Sequence, residues 1–239
     1  LRYIRFSLNY SKVPHDTKII KKLKTNIGGI KKLSKERLLD ELKKIIKIET
    51  LEKLSKDKCN FELILMIFPE LRNIKTFSRL TSLQKNILKE KDFILLLSLL
   101  IIGLDDNVDY FLYKYNISKK DQKRIKFIDN FYKNKNTSKT FLESNLDKVF
   151  YYEGRQAVMD ILCVRIIQLK KYDQNLYDLI DIYKNKIRPN MPIRADFLMN
   201  RYKIQEGKGL GLKLKLIEKE WVNNNFKISD EQVNRIIKD

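Results

Sequence analysis

The chain has 239 residues, enough to bury a sizeable core in one large domain or two smaller ones. Fifty basic residues stand against thirty acidic ones, a net charge of +20, which argues for a polyanionic partner such as nucleic acid; a Lys-, Asn- and Ile-rich composition is also what an AT-rich genome produces. Only seven Gly and four Pro favour a mostly helical protein, and no basic amphipathic helix ends in an apolar anchor, which argues against a membrane-surface protein.

In chain order, Leu1–Val13 places Ile4, Leu8 and Phe6 at inward helical spacing, with Arg2 and Arg5 outward. Pro14-His15-Asp16 breaks this helix. Asp16 then caps Thr17–Ile27, which turns Ile19, Ile20 and Leu23 inward and Lys18, Lys21, Lys22 and Lys24 outward before Gly28-Gly29 stops it. The clearest helix is Lys32–Ile46. Ser34 is a good N-cap, Glu36 suits the positive end of the helix dipole, and Leu38, Leu39, Leu42, Ile45 and Ile46 form one apolar face. Arg37 and Glu41, one turn apart, can pair on the opposite side.

Helical pattern continues through Leu51–Leu54 and Phe61–Phe68, with a stop at Pro69, then through Phe77–Leu88 and Asp92–Leu104. The run FILLLSLLIIGL is about a dozen residues, too short to span a bilayer, and reads as a core helix. Asp105-Asp106-Asn107-Val108-Asp109 has carboxylates at metal-ligand spacing, but it lacks the Gly and final Glu of a calcium loop. It sits where a helix needs a cap, so no metal is assigned to it. Ser118 caps Lys119–Lys133, with Ile125, Ile128 and Phe131 inward and Lys119, Lys120, Lys123, Arg124 and Lys126 on the other faces. Asn134–Ser138 reads as a linker. Helices follow at Phe141–Tyr152, Arg155–Lys171 and Tyr172–Lys186. No alternating β-branched run appears. The expected fold is therefore all-α, an elongated array of about ten helices without a sheet. Its segments are 1–55, 56–135 and 136–239.

Cys59 and Cys163 lie far apart, without CxxC spacing and without a histidine nearby in the chain. This predicts neither a disulfide framework nor a zinc site, and it fits a reducing cytoplasm. His15 stands alone, which excludes mechanisms needing two histidines. A first residue of Leu places the true N-terminus elsewhere. Near the C-terminus, Gly207-Lys208-Gly209-Leu210-Gly211 precedes a helix running to Trp221. Glycines there let backbone amides point outward, and a helix N-terminus attracts phosphate. Lys208, Lys213 and Lys215 surround that point, with Arg188 and Arg194 upstream. A compatible reading makes the glycines a connection for close helix packing, with Leu210, Leu214, Ile217 and Trp221 buried.

Three motifs in order carry a resemblance: Arg2-Tyr3-Ile4-Arg5-Phe6 followed by Ser34-Lys35-Glu36-Arg37-Leu38; Phe68-Pro69-Glu70-Leu71; and Asp196-Phe197-Leu198 with the glycine turn and Trp221. Together they resemble the neck, body and tail of the class II nucleotidyltransferases, the bacterial CCA-adding tRNA enzymes and poly(A) polymerases. The tail departs from the family pattern at Arg194-Ala195, where a Gly is usual, and its glycine turn lacks the common Pro. The resemblance implies a preceding head domain that holds Mg²⁺ for nucleotidyl transfer and selects CTP or ATP. Neither the catalytic carboxylates nor that pair of base-selecting residues lies in this chain, which alone is expected to be inactive and to bind no cofactor. It further implies that Arg2 and Arg5 support the nucleotide pocket and that Ser34, Glu36 and Arg37 brace the neck. Arg188, Arg194, Lys208, Lys213 and Lys215 are then candidate tRNA contacts, made through phosphates and shape.

The expected function is the tRNA-binding part of an enzyme that adds CCA to tRNA 3′ ends. A poly(A) polymerase is the close alternative. A non-catalytic helical scaffold is the alternative of another class, although the chain shows no repeat of fixed period.

Overall fold

The structure, a computed structural model, describes residues 1–11, 13–134, 139–169 and 171–238. Among them every regular element is a helix, fifteen α and two 3-10, so the all-α reading holds with more helices than the ten expected. Contacts divide the chain into two units: Leu1–Ser138 with Met159–Ile180, and Lys139–Val158 with Asp181–Asp239.

The first unit opens with α1 (Arg2–Tyr10), which buries Ile4 and Leu8 against α3 (Lys35–Ile45), α4 (Ile48–Lys56) and α5 (Lys58–Ile67). Phe6 was expected to turn inward, but it is 53% exposed. It lies on the opposite face, beside Tyr10 and under the Arg5 guanidinium. In α2 (Thr17–Thr25) the Asp16 carboxylate accepts from the Lys18 amide, as a cap should. Ile20 is buried while Ile19 is 46% exposed, because a nine-residue helix can turn only one stripe inward. Gly28 and Gly29 do not end α2. Asn26 is its C-cap, and both glycines lie inside a 3-10 helix, Ile27–Lys32.

The opening of α3 follows the sequence closely. Ser34 Oγ accepts from the Arg37 amide, Glu36 lies in the first turn, and Leu38, Leu39, Leu42, Ile45 and Ile46 are all buried. Such side chains contribute roughly 1.5–3 kcal/mol each when fully buried. The expected Arg37–Glu41 pair is replaced: Glu41 takes Lys44 at 2.8 Å and Arg5 at 3.4 Å, which ties α3 to α1.

Phe77–Leu88 is not one helix. The chain forms a 3-10 helix, Ile74–Arg79, and then restarts at α6 (Ser82–Lys89), where Thr81 and Gln84 make a reciprocal capping box. α7 (Phe93–Ile101) is apolar all round and buried along most of its length, as the uninterrupted run requires. No helix among the described residues is long and apolar enough to cross a membrane. The acidic cluster initiates α8 (Asn107–Lys114): Asp105 accepts from the Asn107 amide and pairs with Arg72, while Asp109 pairs with Lys126. α9 (Lys119–Lys133) keeps the expected bounds. Arg124, however, does not face solvent. It grips fully buried Asp160 through two nitrogens at 2.7 and 2.9 Å, and Asp92 at 2.5 Å. Of the expected linker, residues 135–138 lie outside the described residues.

α10 (Lys139–Glu153) begins the second unit. α11 (Arg155–Gln168) and α12 (Gln174–Asn185) follow, and their residues Met159–Ile180 group with the first unit. The rest of the second unit is α13 (Ala195–Tyr202), α14 (Lys208–Asn223) and α15 (Asp230–Lys238). α13 and α15 were not anticipated as helices. Leu198, Leu210, Ile217 and Val233 pack in one cluster of this unit, and Tyr151, Trp221 and Val222 in another.

Candidate nucleic-acid interface

α14 carries the densest set of predicted contacts. Gly207 is its N-cap, with φ of +152°, a conformation that L side chains rarely adopt. Only this glycine precedes the helix. Gly209 and Gly211 lie within it, and a Cβ added at either would meet nothing within 4 Å. Close packing therefore does not require glycine at either position, while Leu210, Ile217 and Trp221 are buried as the packing reading expects.

Leu210, Ile217 and Trp221 fix which side of α14 faces the core. At 100° per residue, Lys208, Lys215 and Lys219 then share an exposed stripe, with Leu212, 63% exposed, beside them. The eleven steps from Lys208 to Lys219 span about 16 Å at a rise of 1.5 Å per residue. Among the described residues none of the three lysines is in an ion pair. Lys219 was not among the predicted contacts, although its spacing of four and eleven from Lys215 and Lys208 is visible in the sequence.

Lys213 differs from the other predicted lysines. It sits about 140° round the helix from the stripe, and its Nζ donates to the carbonyls of Ile237 at 2.7 Å and Ile236 at 3.3 Å. It satisfies orphan carbonyls at the end of α15, which is a structural task. Beside the stripe runs a groove of about 570 Å³, floored by Leu212, Leu216 and Ile236 and edged by Lys213, Lys219 and Glu220.

Arg188 is exposed and lies 5.2 Å over the ring of Tyr151. That ring meets Trp221 edge-on at 5.3 Å, and its hydroxyl donates to Glu218 of α14 at 2.6 Å. Burial, and then the Glu218 carboxylate, push the Tyr151 hydroxyl up to about 12, so it remains a donor throughout the neutral range. Arg194 is an exposed N-cap residue of α13, without a side-chain cap bond. The structure thus joins Arg188 to α14 through two aromatic rings and places Lys208 and Lys215 on one stripe. It gives Lys213 to α15.

In the first unit, Arg2 is exposed, whereas Arg5 is held by Glu41 and by the face of Phe6. Ser34 and Glu36 act at the start of α3. A backbone hydrogen bond, and then the Ser34 hydroxyl, hold the Glu36 carboxyl below its usual range, and Arg37 stands exposed. Lys18, Lys21 and Lys22 form an exposed cationic face on α2, while Lys24 pairs with Glu62 at 2.6 Å.

The reading that no histidine lies near a cysteine holds only along the chain. The fold brings His15 beside Asp57 and Cys59. No family model and no curated protein matches this chain.

Proposed function

We propose that this chain binds structured RNA through the phosphate backbone, as the neck, body and tail of a class II tRNA nucleotidyltransferase that completes tRNA 3′ ends with CCA. The observation that carries the reading is the unpaired row of Lys208, Lys215 and Lys219 on α14. Three cations held on one helix, none of them in an ion pair among the described residues, suit a polyanion, and binding releases the counterions the phosphates carry.

The glycines support the same reading. Gly209 and Gly211 weaken a helix that alanine would strengthen, and both open onto free space. Bare backbone at the start of α14 permits close approach by a phosphate beside Lys208. Asymmetry of charge adds to this, since the chain carries +20. In the family it resembles, Mg²⁺, CTP and ATP belong to the head domain; the cytoplasm is the matching compartment.

Binding of labelled deacylated tRNA and of poly(A), each at low and physiological salt, tests the proposal. Tight, salt-sensitive binding that prefers tRNA supports it. Equal or stronger binding of poly(A) favours the poly(A) polymerase reading, and failure to bind either RNA leaves the helical scaffold.

A further inference from the structure

His15 occupies the turn between α1 and α2, forty-two residues from Asp57 in the chain. In the fold its Nε2 lies 2.8 Å from Asp57 Oδ2, and its Nδ1 lies 2.8 Å from the Tyr3 hydroxyl. Asp57 is the N-cap of α5, and Cys59 is the second residue of that helix. One ligand atom from each of His15, Asp57 and Cys59 lies within 4.8 Å of the other two, and all three residues are half-buried. The residues come from two separate elements and offer one nitrogen, one oxygen and one sulfur.

We propose that His15, Asp57 and Cys59 form a binding site for a zinc-class divalent metal ion, with the fourth position open to water or a small anion. Tetrahedral zinc, with bonds of about 2.0–2.1 Å to N and O and about 2.3 Å to S, separates its ligand atoms by about 3.3–3.6 Å. The His15–Asp57 pair at 2.8 Å is closer than that, and all three ligand atoms lie within 4.8 Å of one another, so the side chains must readjust to take up an ion. A mixed N, O, S set suits Zn²⁺ or Co²⁺ and disfavours Mg²⁺ and Ca²⁺, which take oxygen ligands.

The surroundings suit such a site. With Nε2 on the metal, the ring carries its proton on Nδ1 and donates to the Tyr3 oxygen, which fixes the tautomer and ring plane. Asp57 is held by the Asn60 amide at 3.0 Å and by Asn60 Nδ2 at 2.9 Å, and that side chain in turn donates to Ser7 at 2.7 Å. Ligation releases the thiol proton to solvent and leaves a thiolate on the metal. A nucleophilic cysteine fits the geometry less well. Tyr3 and Asp57 engage both imidazole nitrogens, so neither is placed to take a proton from Cys59.

The test is titration of the chelator-treated chain with Co²⁺, followed by Zn²⁺. One equivalent of Co²⁺ is expected to give tetrahedral d–d bands with a thiolate-to-cobalt charge-transfer band, and Zn²⁺ should displace it. Cys59→Ser should abolish the charge-transfer band, and Tyr3→Phe should weaken binding at least about tenfold. Cys163→Ala should change neither, because Cys163 is fully buried and burial pushes its thiol up to about 12. Absence of saturable binding, or a charge-transfer band that survives Cys59→Ser, overturns the proposal. If Cys59→Ser fails to fold, alkylation of the unmutated chain decides instead: Zn²⁺ should slow modification of Cys59, and an unchanged rate overturns the site.

Discussion

Arg124 shows how much one side chain can hold. Burial alone would lower its affinity for a proton, yet Asp160 and Asp92 more than compensate and raise it, so the guanidinium is charged at every accessible pH. Replacing Arg124 with Met leaves Asp160, which has no exposed surface, without its bidentate partner. Losing one member of such a buried pair costs roughly 3–5 kcal/mol, a loss that urea denaturation should show. Gly209→Ala and Gly211→Ala are expected to act in the opposite direction. Each should stabilise α14 by about 0.5–1 kcal/mol, because the new methyl meets open space in a helical backbone. A raised thermal midpoint together with weakened RNA binding would show that the glycines serve the ligand rather than the fold.

Elements of this chain divide into those fixed by a cap and those fixed by their neighbours. Ser34, Asp16 and Ser118 each accept from an amide in the first turn, so the helices they open begin where the sequence predicts. α14 starts at Gly207 with no side-chain cap, which leaves its first amides to other partners. If its exposed stripe meets phosphates, changing Lys208, Lys215 and Lys219 together to Gln should weaken tRNA binding. It should also reduce the log–log salt slope by about 2–3, at roughly 0.9 per phosphate contact. Lys213→Gln should instead lower thermal stability and leave the salt slope nearly unchanged, since its ammonium closes the end of α15. Measuring both variants side by side separates the binding role from the structural one.

Across the whole molecule, most resolved carboxylate shifts have the same sign. Hydrogen bonds from Lys85 and Lys56 bring the Glu52 carboxyl down to about 2, and Glu41, Asp92 and Asp109 are also lowered by cationic partners. Groups with depressed folded values contribute stability that is complete above the unfolded value of 4.5 for Glu52. That stability is lost as pH falls towards 2, because the unfolded chain binds protons first. Unfolding free energy should therefore decline on acidification through this window. Lys85→Met, which removes a donor 2.8 Å from Glu52, should make the decline shallower and reduce stability at neutral pH.

Local pattern was enough to determine the helical class, the apolar face of α3 and the bounds of α9, because 3.6-residue periodicity and side-chain caps act within a turn or two of sequence. The face of α14 that holds Leu210, Ile217 and Trp221 was legible for the same reason, and the stripe opposite it follows. Other features depended on distant residues. Phe6 and Ile19 satisfy helical spacing yet face solvent, since only packing decides how wide a stripe is buried. Arg124 reads as one cation among several until Asp160 arrives from thirty-six residues away. Lys213 reads as another exposed cation until carbonyls twenty-three and twenty-four residues downstream accept from its ammonium. His15, Asp57 and Cys59 share no spacing that a linear motif could record. Their meeting required α1 to pack against α5, and only the tertiary structure, by burying apolar faces on helices far apart in the chain, brings three such side chains within ligand distance.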